Sequence, residues 1–344
     1  MEDVIIIGGG VGGLVAAKTL AESGIKPLLL ERRKGFGQKA CGEMVAEEFC
    51  GFTLYDFLKD KSIILREFNR MVINFYGKKY FFNLKSSILG FKKLLQINKK
   101  AFEEYLTKEA RKFGAKILLG KTVNEIKREG NSILINNKLR AKILIGADGF
   151  HSITRKFTGQ IAKNYGFAIS GYGKCEVKYP YFFFNPEIIP EGYGWIFPRR
   201  GGEANIGCGS LKIKKVPLFL KEFLEKFNLK IKKIKGAFLP TQLPVKTFFN
   251  NIILVGDAAC FTDPFWGGGI NAAIFSGYLA GKITREAILE DRVDATFLSK
   301  YEKEWKKGLY KSLVKNYYFQ KIFKDFFLYH KNITSLGLTI LSKL

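Results

Sequence analysis

The chain has 344 residues, enough for two domains or one large intertwined unit, and 47% of them are apolar. Its formal net charge of +26 attracts anionic lipid headgroups or phosphorylated substrates, although a lysine-rich surface without such a partner would look the same. The chain has only two histidines, and its five cysteines include no CxxC pair. We therefore expect neither a disulfide framework nor a His- or Cys-based metal centre. No nucleic-acid-binding motif is present. We expect a cytoplasmic protein with no metal and no nucleic-acid partner.

The first thirty residues have the pattern of a βαβ unit. Residues 4–7 predict a buried strand, residues 14–21 a helix that ends at Ser23-Gly24, and residues 26–30 a second strand that closes on Glu31. A unit of this kind indicates a parallel sheet.

A glycine motif, Gly8-x-Gly10-x-x-Gly13, joins the first strand to the helix. Gly8 allows the tight turn, Gly10 lets the backbone approach a pyrophosphate, and Gly13 permits close helix–strand packing, with Gly12 in the same turn. The pyrophosphate would bind the N–H groups at the helix N-terminus, and Glu31 would accept hydrogen bonds from an adenosine ribose. The motif predicts a dinucleotide site, for either FAD or NAD.

The middle of the chain alternates between strand and helix patterns. Residues 71–76 and 79–84 predict antiparallel strands around Gly77, and residues 99–113 repeat apolar side chains at helical spacing as far as Gly114. Further along, the pattern predicts a strand over 142–145, a β-dominated region over 160–247, a strand over 251–255, a helix over 271–288, and amphipathic helices after about 290.

Two later strands end in a glycine and an aspartate. Asp148-Gly149 and Gly256-Asp257 each follow a buried strand, and such loops can bind ribityl hydroxyls and a diphosphate. Three strand-end loops span a ligand longer than a mononucleotide, which favours FAD. A single loop of this kind could equally be an ordinary Asx turn.

A third glycine run precedes the helix that begins near Ile270. Pro264 leads through Phe265 and Trp266 into Gly267, Gly268 and Gly269, whose missing side chains would let a flavin ring lie against the backbone. The helix N-terminus would then stabilise negative charge on the reduced flavin.

These patterns predict an α/β protein with a discontinuous Rossmann-type FAD-binding domain and an inserted antiparallel-sheet domain. The predicted FAD-binding domain comprises residues 1–55, 96–160 and 248–290, the substrate (catalytic) sheet domain residues 56–95 and 161–247, and the C-terminal helical region residues 291–344.

The sequence resembles the flavoproteins of the para-hydroxybenzoate hydroxylase fold, and within it the geranylgeranyl reductases of archaea and phototrophs. The segments that carry the resemblance are 39–43 (KACGE), 193–198 (YGWIFP), 256–259 (GDAA), 263–264 (DP) and 267–270 (GGGI). Family members use FAD to reduce double bonds of geranylgeranyl chains, and some archaeal members saturate membrane ether lipids. This chain differs from the family at Lys99, where an arginine is expected, and is short for the lipid-saturating members.

The resemblance implies a cysteine close to the reacting centre, which is Cys41 here. It would deliver a proton or shape the site, although a purely structural cysteine fits the same pattern. We predict Cys41 as the catalytic residue. The predicted cofactor-binding residues are Gly8, Gly10, Gly12, Gly13, Glu31, Arg32, Ala40, Cys41, Gly42, Lys99, Asp148, Gly149, Gly256, Asp257, Pro264, Gly267, Gly268, Gly269 and Ile270.

Three aromatic side chains, Tyr193, Trp195 and Phe197, alternate along a predicted strand and therefore share one face. From the residues alone they are either a wall for an extended hydrocarbon or a packed sheet core. The resemblance favours the wall, and we predict these three as substrate-binding residues.

The resulting hypothesis is an FAD-dependent reductase that saturates C=C bonds of an isoprenoid lipid or a prenyl diphosphate. Its external electron donor would be NAD(P)H or a ferredoxin-like protein. The alternatives are a flavin monooxygenase for a lipophilic or aromatic substrate and a non-catalytic prenyl-binding carrier. The lysine- and aromatic-rich C-terminal helices would lie on an anionic membrane surface, at the inner face of the cell membrane, or dock on the body of the protein.

Overall fold

The computed structural model describes residues 1–85 and 91–343. Backbone contacts group them into two compact units. Unit 1 comprises Met1–Gln38, Lys100–Asn164 and Pro240–Tyr317, and unit 2 comprises Lys39–Lys99, Tyr165–Leu239 and Tyr318–Leu344. The functional domain boundaries given above stay a prediction.

The described part of the chain contains both strands and helices. The strands are β1 Glu2–Ile7, β2 Leu28–Glu31, β3 Met44–Ala46, β4 Glu48–Phe49, β5 Phe52–Thr53, β6 Ile64–Phe68, β7 Arg70–Phe75, β8 Lys78–Asn83, β9 Leu94–Ile97, β10 Lys116–Leu119, β11 Ile126–Glu129, β12 Ser132–Ile135, β13 Leu139–Gly146, β14 Tyr165–Lys174, β15 Tyr181–Phe184, β16 Gly192–Pro198, β17 Glu203–Ser210, β18 Lys232–Pro240, β19 Phe248–Phe249 and β20 Ile252–Leu254. The helices are α1 Val11–Glu22, α2 Lys99–Lys112, α3 Ile153–Phe157, α4 Val216–Lys226, α5 Ile270–Leu289, α6 Ala295–Trp305, α7 Lys311–Ile322 and α8 Lys331–Leu341.

Unit 1 is built on an eight-stranded sheet in the order β10-β2-β1-β13-β12-β11, with β20 pairing β13 and β19 pairing β20. The pairs β1–β2, β2–β10, β1–β13 and β13–β20 are parallel, as the βαβ pattern predicts. Ile7 pairs with Gly146, and Gly146 with Leu254, so three strands end at one edge of the sheet.

The helices that follow the glycine loops of unit 1 pack against each other. A Cβ built at Gly277 of α5 would lie 2.3 Å from Gly12 O of α1, which only a glycine allows. Because the two helices touch at this point, the start of α1 is anchored on α5 as well as on the sheet.

Unit 2 contains a seven-stranded sheet in the order β18-β14-β17-β16-β15-β7-β8, a three-stranded sheet β3-β9-β6, and the hairpin β4-β5. The predicted antiparallel pair around Gly77 is confirmed as β7 and β8, with Phe75 opposite Lys78. Gly77 has φ +91°, a backbone conformation that glycine adopts without strain.

Details of three elements differ from the sequence-based expectation. Strand β2 begins at Leu28, one residue after Pro27, which lacks an N–H to pair. Helix α2 ends at Lys112, and Phe113, counted in its apolar stripe, is 41% exposed. Helix α4, inside the region expected to be β-dominated, was not predicted. Its Phe223 packs in the core behind the seven-stranded sheet.

Within residues 1–85 and 91–343, no helix has the length and apolarity needed to cross a membrane. In the same part of the chain, no three His, Cys, Asp or Glu side chains are grouped to hold a metal ion. All five cysteines are free thiols.

Candidate active site

The first glycine loop of unit 1 is shaped by close backbone contacts. Gly8 has φ +108°, and a Cβ there would lie 2.2 Å from Ala147 O. A Cβ at Gly13 would lie 2.0 Å from Gly8 O. A Cβ at Gly10, by contrast, would have no neighbour within 4 Å among the described residues. The loop is therefore packed on its inner side and open at Gly10.

The start of α1 can receive an anion. Gly10 is its N-cap residue, no side chain caps it, and its first turn contains no acidic residue. Uncapped N–H groups and the positive end of the helix dipole form an anion site at such a terminus.

Glu31 stabilises the same loop. Its buried carboxylate accepts hydrogen bonds from Gly9 N at 2.6 Å and from Arg33 N at 2.8 Å. Each oxygen retains a second lone pair, so a ribose contact remains compatible with these bonds. Arg32, the other residue predicted here, is exposed.

In the loop after β13, the Asp148 carboxylate accepts hydrogen bonds from residues that follow it closely in sequence. Asp148 accepts hydrogen bonds from Ser152 Oγ at 2.6 Å and from Thr154 N at 3.0 Å, which holds the start of α3. Burial raises the pKa of the Asp148 carboxyl, and these hydrogen bonds oppose the shift. Gly149 has φ +76°, and a Cβ there would have no neighbour within 4 Å in residues 1–85 and 91–343.

Arg155 links this loop to the one after β20. Its Nη1 donates to Asp257 O and Ala258 O, both at 3.2 Å, and its Nη2 donates to Phe150 O. The Asp257 side chain accepts a hydrogen bond from Thr262 Oγ1 at 2.8 Å. The three strand-end loops are thus brought together at one edge of the unit 1 sheet.

Asp263 organises the glycine run before α5. Its carboxylate accepts from Phe265 N at 2.9 Å, from Trp266 N at 2.8 Å and from Asn316 Nδ2 at 2.5 Å. Burial raises the pKa of the Asp263 carboxyl, and these donors oppose that shift.

The glycine run itself leaves the start of α5 open. A Cβ at Gly268 would have no neighbour within 4 Å in the described part of the chain. Helix α5 begins at Ile270 with Gly269 as N-cap, without a side-chain cap and without an acidic first turn. A second uncapped helix start therefore lies in unit 1.

In unit 2, the residues Cys41, Gly42 and Glu43, here called the Cys41 turn, are held by hydrogen bonds from distant strands. Asn205 Nδ2 donates to Cys41 O at 2.8 Å, and Gln96 Nε2 donates to Gly42 O at 3.2 Å. Glu43 has φ +59°, and its N–H donates to Cys41 Sγ at 3.3 Å. The Cys41 side chain is half-buried.

Charged groups surround the Cys41 turn. The buried Glu43 carboxylate accepts from Tyr172 OH at 3.0 Å and forms an ion pair with Arg199 Nη1. Burial raises the pKa of the Cys41 thiol above its ordinary value. The Lys99 ammonium lowers the pKa of this thiol, and the Glu43 carboxylate raises it further. Lys99 is itself buried.

Tyr193, Trp195 and Phe197 share one face of β16, as predicted. Their rings contact each other and the rings of Phe182 and Phe184 on β15, with centroids 5.0 to 6.1 Å apart. Trp195 Nε1 donates to Asn205 Oδ1 at 2.9 Å, so one amide holds both the indole and the Cys41 carbonyl. A Cβ at Gly42 would lie 2.9 Å from the Phe197 ring.

Two family models match successive parts of the chain. Residues 1–168 match the family model of an FAD binding domain, and residues 161–238 match that of the geranylgeranyl reductase catalytic domain. The chain is 31% identical to the digeranylgeranylglycerophospholipid reductase of Methanocaldococcus jannaschii, over 93% of this chain and 86% of the relative. It is 33% identical to the enzyme of that name from Methanosarcina acetivorans, over 88% and 80% of the two chains.

The chain belongs to the geranylgeranyl reductase family. Its fold is that of a geranylgeranyl bacteriochlorophyll reductase-like protein from Thermoplasma acidophilum, with a TM-score of 0.87 at 26% identity over 99% of this chain and 91% of that one. PqsL of Pseudomonas aeruginosa, described as a probable FAD-dependent monooxygenase, shares the fold alone, with a TM-score of 0.72 at 14% identity over 94% and 97% of the two chains. The predicted family and α/β fold are confirmed.

FAD is the cofactor of this geranylgeranyl reductase family member, as expected, and unit 1 fits it. Two helix starts without caps suit a diphosphate and an electron-rich ring edge, and the positions of Gly10 and Gly268 are open enough for close approach. The contact of each predicted residue with FAD stays a prediction. Of the predicted cofactor residues, Ala40, Cys41, Gly42 and Lys99 lie in unit 2 and all others in unit 1.

Several residues of the site were not singled out from the sequence. Glu43 and Asp263 stand inside segments that carry the family resemblance, so their chemistry could have been noted. The partners that hold them, by contrast, lie in segments without a motif. These partners are Gln96, Tyr172, Arg199, Asn205 and Asn316.

Proposed function

We propose that this protein is an FAD-dependent reductase that saturates C=C bonds of geranylgeranyl chains in an archaeal-type membrane lipid. The observation that carries the proposal is that a single chain matches an FAD binding domain and a geranylgeranyl reductase catalytic domain. Relatives at about 30% identity, named for reduction of a digeranylgeranylglycerophospholipid, favour a lipid over a prenyl diphosphate. They also favour the reductase over the monooxygenase and the carrier.

Saturation of one double bond adds a hydride to one carbon and a proton to the other. When bound, FAD in its reduced form supplies the hydride. The proton is held at Cys41 Sγ, because burial raises the pKa of this thiol and keeps it protonated at neutral pH. The proton passes from Sγ to the second carbon, and the thiolate then regains a proton from solvent. The chain's main task is to hold the alkene and keep water away, since an isolated alkene offers no carbonyl to polarise.

The aromatic face of β16 is the proposed wall for the isoprenoid chain. Its apolar rings would receive a hydrocarbon at about 0.8 kcal/mol per buried CH₂ group. Ring faces of Tyr193 and Trp195 would also stabilise cationic character that develops on carbon during reduction.

The test is an anaerobic incubation of the dithionite-reduced, FAD-loaded protein with three substrates: a digeranylgeranylglycerophospholipid, geranylgeranyl diphosphate and a prenylated quinone. We expect the lipid to gain two hydrogens per double bond by mass spectrometry. A hydroxylated product formed in air would support the monooxygenase instead. A folded protein that takes up no FAD would support the carrier.

The physiological reductant is proposed to be external, either NAD(P)H or a ferredoxin-like protein. In the same assay, dithionite is replaced by each candidate donor in turn. The physiological reductant is the donor that reduces the flavin fast enough to sustain turnover.

We further propose that the C-terminal helices contact an anionic membrane, where the lipid substrate resides. Ile333, Leu336 and Ile340 recur on one face of α8 and are 51%, 64% and 54% exposed. Exposed lysines at 331 and 343 flank this face. An apolar face bordered by cations suits the interface of an anionic bilayer.

Co-sedimentation with vesicles of phosphatidylglycerol tests this surface. Leu336→Glu should weaken binding by about 10- to 150-fold, because a buried leucine side chain contributes about 1.5 to 3 kcal/mol. Leu218→Glu is the matched control, since Leu218 on α4 of the same unit is 50% exposed. Equal binding of both variants and the unmodified protein would exclude α8 as the contact.

A further inference from the structure

The Cys41 turn is more constrained than a surface turn of three residues requires. Besides the bonds to Cys41 O and Gly42 O, Ile97 N donates to Glu43 O at 2.9 Å. Every carbonyl of the turn therefore accepts a hydrogen bond from unit 2. Glu43 adopts φ +59° although it is not glycine, a conformation that is retained only where surrounding contacts enforce it.

The Glu43 side chain supplies the strongest of these contacts. Glu43 as a whole residue is 5% exposed. Its carboxylate lies between the guanidinium of Arg199 and the hydroxyl of Tyr172. Arg199 also stacks on the Tyr172 ring, with Cζ 4.6 Å from the centroid. Burial raises the pKa of the Glu43 carboxyl, while the Arg199 guanidinium and the hydrogen bond from Tyr172 lower it.

Charged groups of both signs act on the Cys41 thiol. Glu43 raises the pKa of Cys41, while Lys99 at the start of α2 lowers it, and Lys39 acts in the same direction as Lys99. Burial of the thiol adds to the effect of Glu43 and is the largest contribution.

We propose that Glu43 is a positioning residue that, clamped by Arg199 and Tyr172, fixes the Cys41 turn and so sets the surroundings in which Cys41 holds its proton. This inference rests on the proposed function for its chemical meaning, since a held proton matters only if Cys41 donates it. Loss of the Glu43 carboxylate would lower the pKa of the Cys41 thiol, so that the thiol gives up its proton at a lower pH than in the unmodified protein.

The experiment is a pH titration of the FAD-loaded protein labelled with ¹³Cβ-cysteine, read by NMR. The Cys41 resonance is assigned by its disappearance in Cys41→Ala. We expect Glu43→Gln to lower the titration midpoint of Cys41 by about one pH unit. At any pH well below the midpoint, the variant would then contain about tenfold more thiolate than the unmodified protein. Lys99→Gln should move the midpoint in the opposite direction.

Glu191→Gln is the matched control, because it makes the same change of charge in unit 2. Its carboxylate pairs with Lys212 and Lys324 rather than with the Cys41 turn. We expect no shift of the Cys41 midpoint in this variant. If Glu43→Gln does not fold, Lys99→Gln and Tyr172→Phe still test the proposal, the latter by removing one donor to the carboxylate and lowering the midpoint by a smaller amount.

The inference is overturned if the midpoint of Cys41 is the same in Glu43→Gln, Lys99→Gln and the unmodified protein, or if both variants move it in one direction. The rate of lipid reduction by Cys41→Ala separates this failure from that of the proposed function. Midpoints that shift as expected, with full turnover in Cys41→Ala, would retain the role of Glu43 and reject Cys41 as proton donor. Lost turnover in Cys41→Ala with fixed midpoints would do the reverse.

Discussion

The glycine loops of unit 1 and the Cys41 turn of unit 2 are built by different means. In unit 1, the open positions at Gly10 and Gly268 are created by missing side chains next to strand and helix ends. In unit 2, the Cys41 turn is held by side chains that lie up to 164 positions away in sequence. A backbone site of the first kind is visible as a local motif. A site of the second kind exists only once the sheet has formed.

The largest expected effect concerns the second kind of site. Cys41→Ala should leave FAD bound, and lower the rate of lipid reduction by about 10²- to 10⁴-fold, the usual contribution of a general acid. The measurement is single-turnover reduction of the lipid by the pre-reduced protein.

Cys175→Ala is its control, since this cysteine is half-buried in the same unit and belongs to the packing around the sheet core. Turnover of Cys41→Ala at the rate of Cys175→Ala would remove the thiol from the mechanism.

The next effect concerns the backbone site. Gly10→Ala should weaken FAD binding, because the added Cβ would hold the diphosphate away from the N–H groups of the loop. The loss of one hydrogen bond to a charged group costs about 1.5 to 3 kcal/mol, equivalent to about 10- to 150-fold in affinity. Thermal unfolding of the FAD-free protein should change little, because the added Cβ has no neighbour within 4 Å in the described chain. Gly13→Ala is the contrast, since its Cβ would lie 2.0 Å from Gly8 O and should destabilise the fold itself. Unaltered FAD affinity in Gly10→Ala would contradict the predicted position of the diphosphate.

A smaller effect is expected at the amide that joins Trp195 to the Cys41 turn. Asn205→Ala removes two hydrogen bonds from a buried position, and should lower the free energy of unfolding by about 1 to 3 kcal/mol and the reduction rate by about tenfold. Asn74→Ala, which removes two hydrogen bonds elsewhere in unit 2, to Tyr181 OH and from Gly77 N, should cost similar stability and leave the rate unchanged. Equal rates in the two variants would show that Asn205 only stabilises the fold.

The smallest effect is expected at Asn316, which donates to Asp263 beneath the glycine run. Asn316→Ala should lower the free energy of unfolding by about 1 kcal/mol and weaken FAD binding by less than about fivefold. Chemical denaturation and an FAD titration measure the two quantities. An effect larger than that of Gly10→Ala would mean that the glycine run, and not the first loop, dominates cofactor affinity.

The sequence predicted unit 1 well because its signals are local. Short buried strands followed by glycines identified β1, β13 and β20, and the strand registers bring their ends together as expected. Helix α4 was missed because its segment lies in an aromatic, turn-rich region and its apolar residues pack behind the sheet in a way that the local pattern does not reveal.

The chemistry of single residues was harder to predict. The predicted contact of Asp148 with the cofactor stays a prediction. The hydrogen bonds that its carboxylate accepts from Ser152 and Thr154 were not predicted, because they depend on the geometry of the α3 start. Glu43 was visible in the family segment, but its importance depends on Tyr172 and Arg199, which no local pattern connects to it.

The most direct test of the account follows flavin and lipid in one anaerobic vessel. The FAD-loaded protein is reduced with one equivalent of dithionite and mixed with a digeranylgeranylglycerophospholipid. The account predicts that the oxidised flavin spectrum returns while one double bond is saturated per flavin. A flavin that stays reduced beside unchanged lipid would contradict it.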